Sequence, residues 1–246
     1  MPAPLLAVSL LASALSAVGG SAAAAGRAEV RPARAEVAAL VRRCVAAYGG
    51  KGALTRAAVT KQEGRVTSLL HPGVDGRIVR GYARPGRLRV EIVFPGSPPE
   101  IRVLDGGRGW RNGEEVESAR LASMLLQAAR LDLPALLAAW EEKIEDRGTG
   151  DADGTPVRVL ALEPAPGIVV EAAIDVRTAL VVRSRGSSRD PGMPLEFVTT
   201  YGDFRKVDGV IVAFHEKNWA NGRSTGETVL EKVEFPKALP DAAFRP

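Results

Sequence analysis

From residue 59 almost to the end, apolar side chains recur at every second position, and this alternation constrains the fold more than any other feature of the chain. The cleanest run sets Leu88, Val90, Ile92 and Phe94 against Arg87, Arg89, Glu91 and Val93, and Ile101 and Val103 extend it to the turn at Asp105-Gly106-Gly107. Later runs repeat the pattern at Ile168–Ile174, at Leu195, Phe197, Thr199 and Tyr201, at Val210, Val212 and Phe214, and at Val229, Val233 and Phe235. Successive strand side chains point to opposite faces, so each run offers one face to a core and one to water. Gly, Pro, Asn and Asp separate the runs at short intervals, which predicts antiparallel hairpins. The expectation is a mostly β, α+β chain of about ten to eleven strands, curled into an incomplete antiparallel barrel. Strand parity predicts that Leu88, Val90, Ile92, Phe94, Val103, Phe197, Tyr201 and Phe214 face inward.

Two stretches follow a helical period instead. Val37, Leu40, Val41, Cys44, Val45 and Tyr48 share one helix face, with Glu36, Arg42 and Arg43 off it. Gly49-Gly50 predicts the stop, since glycine adopts the left-handed cap conformation at little cost. Ser118 to Glu142 predicts two short helices. Ser118 is the expected N-cap of the first, and Pro134 lies in the first turn of the second, where its missing N–H is not needed. From pattern alone Met124, Leu125 and Trp140 fit two roles, ordinary core or a lid over a cavity.

The front of the chain predicts export. Leu5 to Leu15 is almost wholly apolar or small, and Ala23 and Ala25 fit a small-x-small cleavage site. Such a stretch is too short to span a bilayer and reads as a secretory leader over residues 1–25, although Met1 to Pro4 carries no Lys or Arg. Cleavage near Ala25–Gly26 would leave a single domain over residues 26–246, soluble in the periplasm. No cysteine lies near that site to take a lipid anchor. Cys44 is the only cysteine, so no intramolecular disulfide forms and stability rests on a core; its place on the apolar stripe predicts a buried small hydrophobe. The net charge is +4, and the arginines are dispersed with Asp or Glu nearby, which favours a solvated face over a nucleic-acid groove.

Signatures of chemistry are missing. His71 and His215 have no ligand-spaced partner, so no metal is expected. There is no nucleophile elbow, P-loop or dinucleotide fingerprint, and Gly106-Gly107-Arg108-Gly109 reads as a hairpin turn. Ser187, Ser188, His215 and Asp203 carry no local mark of a nucleophile. The expectation is therefore no catalytic residue, no cofactor and no enzyme. An apolar cavity that binds is the default functional feature for such a chain.

One region is similar to a known family. Gly81-Tyr82-Ala83-Arg84-Pro85-Gly86-Arg87-Leu88-Arg89, then Phe94-Pro95, then Ile101 to Gly106, then Trp110, resembles LolA, the periplasmic carriers of outer-membrane lipoproteins. Tyr201 to Val210 and the ending Asp241-Ala242-Ala243-Phe244 are similar to the wider lipoprotein-sorting group. The resemblance implies an incomplete barrel closed by an amino-terminal helix and loop helices. It implies a cavity for lipoprotein acyl chains or lipid, with Trp110 joining the inward residues. It also implies a membrane-complex donor, an outer-membrane acceptor and no cofactor. In the family the arginine of the Arg-Pro pair hydrogen-bonds lid helices in the closed state. Here that residue is Arg84, which equally fits a simple turn role. Residues 118–142 fall where lid elements would, with Met124, Leu125 and Trp140 on them. An envelope-stress sensor or a structural interaction module on the same fold is the alternative.

Overall fold

The computed structural model describes residues 22–189 and 195–246, with side chains from residue 34 onward. The expected leader therefore lies outside the described residues, apart from helical backbone at 22–25. The chain divides into two compact units, residues 1–36 and 37–246. In the first, the described backbone is helical, the beginning of α1 (Ala22–Ala47). The remaining elements all belong to the second.

The alternation builds strands wherever it was read, and strands also form where it is absent. After α2 (Lys51–Arg56) come β1 (Val59–Ser68), β2 (His71–Ala83), β3 (Arg87–Val93), β4 (Glu100–Asp105), β5 (Arg108–Arg111) and β6 (Glu114–Val116). The helices α3 (Ser118–Leu131) and α4 (Leu133–Ala139) follow. The chain then runs through β7 (Glu145–Ala152), β8 (Thr155–Ala165), β9 (Ile168–Asp175), β10 (Val181–Ser188), β11 (Glu196–Val207), β12 (Val210–Ala220) and β13 (Arg223–Glu234). Strands adjacent in sequence pair throughout except β6 and β7, and β13 pairs with β1, giving among the described residues one antiparallel sheet of thirteen strands ordered 6-5-4-3-2-1-13-12-11-10-9-8-7.

The expected mostly β, antiparallel architecture is present, and its count of ten to eleven strands is corrected: among the described residues the sheet has thirteen strands and is open, with β6 and β7 at its edges. The strands for which no alternating run was read are the central β2 and, at or beside the edges, β5, β6 and β7. β5 and β6 are too short to show a period, and β7, Glu-Asp-Arg-Gly-Thr-Gly-Asp-Ala, an edge strand paired with β8, has no alternating apolar side chains. A charged edge strand resists pairing with a second chain, which is a reason for its polarity that has nothing to do with a core.

The topology also explains the helices. The chain leaves one edge at β6 and must re-enter at the other edge, β7, so the connection crosses the face of the sheet as α3 and α4. These two meet at 82°, and among the described residues no single helix is long and apolar enough to cross a membrane. Ser118 does not cap α3. Glu117 precedes the helix with extended backbone, no side chain caps it, and Ser118 itself has a φ of 51°, outside N-cap geometry.

Two clusters hold the helices against the sheet. In one, Val41, Cys44 and Val45 of α1 pack with Leu160, Val170 and Ile174 of β8 and β9 and with Ala122, Leu126 and Leu137 of α3 and α4. In the other, Ile78, Tyr82, Leu88, Val90 and Leu104 pack with Met124 and Ala128 of α3. Helix α3 thus belongs to both. It can lie close because two glycines stand beneath it: a Cβ on Gly109 would come within 2.9 Å of the Met124 sulfur, and one on Gly186 within 2.6 Å of Leu126 Cδ2.

Candidate functional site

A cavity of about 710 Å³ lies between α3 and the sheet. Its apolar walls come from Val66, Ile78 and Ile92 on β1–β3, from Phe94 just past β3, and from Val170 and Phe197 on β9 and β11, with Met124 and Leu126 from α3. Near its open end the β1–β2 turn exposes Leu69 and Leu70, the latter to 87 %. His71 stacks on Phe94 there, ring centroids 4.0 Å apart.

The helix wall also carries a polar stripe. Arg120, Ser123, Gln127 and Arg130 recur at three- and four-residue steps, one stripe of α3, and all four border the cavity. At the most buried part lies a group of charges. Glu216 accepts hydrogen bonds from Arg80 Nη1 and Nη2, both at 2.9 Å, and from Arg130 Nη1 at 3.2 Å. Arg80 is only 1 % exposed, and its Nε has no partner among the described residues. Beside it the hydroxyls of Tyr201 and Ser184 are 2.7 Å apart, and Thr199 donates to Asn218 at 2.9 Å. Burial alone would raise the Glu216 pKa. The charges and hydrogen bonds of Arg80 and Arg130 outweigh it and hold the carboxyl down at about 2.

Of the residues expected to face a cavity, Ile92, Phe94 and Phe197 border it. Leu88 and Val90 are instead buried against α3, in the cluster that holds Met124. Tyr201 stands behind Ser184. Val103 and Trp110 do not point inward. Leu88 pairs with Leu104, whereas Val103 pairs with Arg89 and Trp110, so both occupy the opposite face. The error came from carrying the parity of β3 across the turn into β4, where Leu104 rather than Val103 takes the inner position. That outer face carries the carboxy-terminal turn at Asp241–Phe244, where the Arg87 guanidinium lies 4.3 Å over the Phe244 ring. Phe214 packs in a separate cluster with Leu230 and Val233 and does not border the cavity.

Among the lid residues, Met124 borders the cavity, Leu125 packs against both core clusters, and Trp140 closes α4 with Lys143 5.1 Å over its ring, away from the cavity. Arg84 reaches the helices, but not their carbonyl ends. Its Nε donates to Asp132 Oδ2 at 2.8 Å, its Nη2 donates to Oδ1 of the same carboxylate, and both Nη atoms lie 3.4 Å from the Leu54 carbonyl oxygen. Asp132 is the residue between α3 and α4, so Arg84 holds their joint. The Arg84–Pro85 peptide is cis.

Pattern reading missed Arg80, Arg130 and Glu216, although the signal was present. Arg80 shares parity with Ile78 and Tyr82, so it was a charge on an inward face. Charges there are paired or functional.

No protein-family model matches the chain, and no curated protein does. Among solved structures, a LolA superfamily protein from Nitrosomonas europaea matches at a TM-score of 0.53 and 12% identity, over 78% of this chain and 96% of that one. A DUF1329 family protein from Desulfovibrio piger matches at 0.47 and 12% identity, over 85% and 97%. The first likeness concerns backbone arrangement alone, and it agrees with the sheet and helix order described above: the chain has a LolA-like fold.

Proposed function

We propose that this chain is a lipid- or lipoprotein-binding carrier of the periplasm, without catalytic activity, that holds acyl chain in the cavity beside α3. The observation that carries this reading is the cavity itself. About 710 Å³ bordered by Ile78, Ile92, Phe94, Met124 and Phe197 lies within the range of small-ligand sites. Each buried methylene contributes about 0.8 kcal/mol, so one chain supplies affinity without specific chemistry. A stress sensor or interaction module has no need of such a space, and self-filling by its own side chains would serve it as well.

The test is native mass spectrometry of protein purified from its host, paired with uptake of a fluorescent fatty acid. Co-purifying lipid, and uptake abolished by Ile92→Asp in a variant that still melts cooperatively, is the expected result. Uptake unchanged by Ile92→Asp would count against the cavity.

A further inference from the structure

A cavity that receives only hydrocarbon should end in hydrocarbon. This one is bordered by Arg80 and Arg130, both of which pair with Glu216 behind its wall. Two guanidiniums face one carboxylate there, leaving one positive charge uncompensated where Arg80 is 1 % exposed. The arrangement is not a closed network either. The fork of Arg80 is spent on Glu216 through its two Nη atoms, and its Nε–H is buried without an acceptor among the described residues. A buried donor left unmade and a buried charge left unpaired both cost free energy that folding does not recover. Neighbouring groups add polarity but no balancing charge: Ser184, Thr199, Asn218 and Thr228 all border the same space. Nearer the rim, Glu100 is already engaged by Arg102 and Arg111.

We infer that the cavity takes a single-chain amphiphile with an anionic head, bound head-inward, the head accepting from Arg80 and Arg130 while the tail runs along Ile78, Ile92, Phe94 and Phe197 toward the open end at Leu70. This rests on the carrier reading and narrows it. Acyl chains attached to a lipoprotein enter methyl-first and would set a terminal methyl against an uncompensated guanidinium. A free acyl anion instead supplies the acceptor and the charge that the site lacks. A carboxylate and a phosphate monoester share that chemistry, so both heads belong in the test.

The mature chain is loaded with a fluorescent fatty-acid probe, and displacement is measured with palmitate, 1-palmitoyl lysophosphatidate, methyl palmitate and a synthetic tripalmitoyl lipopeptide. Arg130→Gln, which leaves Arg80 and Glu216 as a neutral pair, and Arg130→Lys, which keeps the charge, are run beside the native protein. Palmitate or lysophosphatidate should displace at least tenfold better than methyl palmitate, and the better of the two identifies the head. Arg130→Gln should weaken the anion by about ten- to hundredfold, the effect of one charge-assisted hydrogen bond, and leave the methyl ester unchanged. Arg130→Lys should recover part of that loss. Methyl palmitate equal to palmitate, or the tripalmitoyl lipopeptide stronger than both anions, would overturn the head-inward site and leave the carrier standing. Failure of the fatty-acid probe itself to load would overturn both.

Discussion

Arg84→Leu should unclamp the joint between the two crossing helices, and its cost follows from the burial of its partner. Asp132 is 5 % exposed, accepts from two nitrogens of Arg84, and its carbonyl oxygen receives the N–H groups of Ala135 and Leu136 that open α4. Leucine removes the donors and strands the carboxylate beside the Tyr82 hydroxyl, whose pKa is already pushed up by burial and by Asp132. Breaking a fully buried pair costs about 3–5 kcal/mol, but the Arg84 side chain is 31% exposed, so water recovers part of the loss. A charge-assisted bond of about 1.5–3 kcal/mol is the better guide, and about 2 kcal/mol lowers the melting temperature by roughly 4–8 °C in a domain of this size. The assay is a double-mutant cycle with Asp132→Asn, read by urea denaturation. Each single change should cost about 2 kcal/mol, and the double little more than one of them. Additive losses, with coupling below about 0.5 kcal/mol, would show that Arg84 only shapes its turn.

Other outcomes follow from single positions. Gly186→Val should cost about 1–3 kcal/mol in a thermal melt, because its side chain must displace Leu126 or lift α3 from β10; an unchanged midpoint would refute the close seating. Burial pushes the Cys44 thiol up to about 12, so Ellman's reagent at pH 8 should find no thiol in native protein and one in denaturant; prompt native reaction would contradict that burial. Glu216 has a folded pKa of about 2 against an ordinary 4.5, so its contribution is present above pH 4.5 and fades as pH falls from there toward 2. The loss should be of order 3 kcal/mol in urea midpoints, and Glu216→Gln should be weaker at pH 7 with a flatter acid slope. Parallel slopes for the two proteins would rule out that linkage.

What the sequence discloses and what it conceals divide along physical lines. The six residues of the α1 stripe are all buried, because a helix face with apolar neighbours has only one way to be satisfied. β3 was equally legible, since Leu88 and Val90 alternate with charges and its register with β2 and β4 is unbroken. Edges were concealed, because an edge strand such as β7 is selected for polarity and not for alternation. Relations across a turn were concealed as well. Nothing local to Ile101–Asp105 says whether Val103 or Leu104 continues the inner face, and only the pairing of Leu88 with Leu104 decides it. The charged end of the cavity needed three elements at once, Arg80 on β2, Arg130 on α3 and Glu216 on β12, which no window of sequence contains.

Those same contacts decide how the cavity can be reached. A lid must leave and return at small cost, and α3 cannot. Lifting it exposes Met124 and Leu126, each worth about 1.5–3 kcal/mol of burial, together with Ala122, Ala128 and Ala129. It also strips Arg130 from Glu216 and pulls against the Arg84–Asp132 clamp, about 1.5–3 kcal/mol each. The sum, about 6–12 kcal/mol before the alanines, equals the whole stability of an ordinary domain. Helix α3 is therefore a wall of the cavity, tied to both core clusters. On the proposed carrier reading, ligand passes at the other end, where the β1–β2 turn leaves Leu69 and Leu70 largely exposed. Two consequences meet there. Opening the turn sacrifices little burial, so exchange can be fast without unfolding. If the proposed anionic head is held by Arg80 and Arg130 at the far end, it governs retention, which separates the part of the site that would admit a ligand from the part that would keep it.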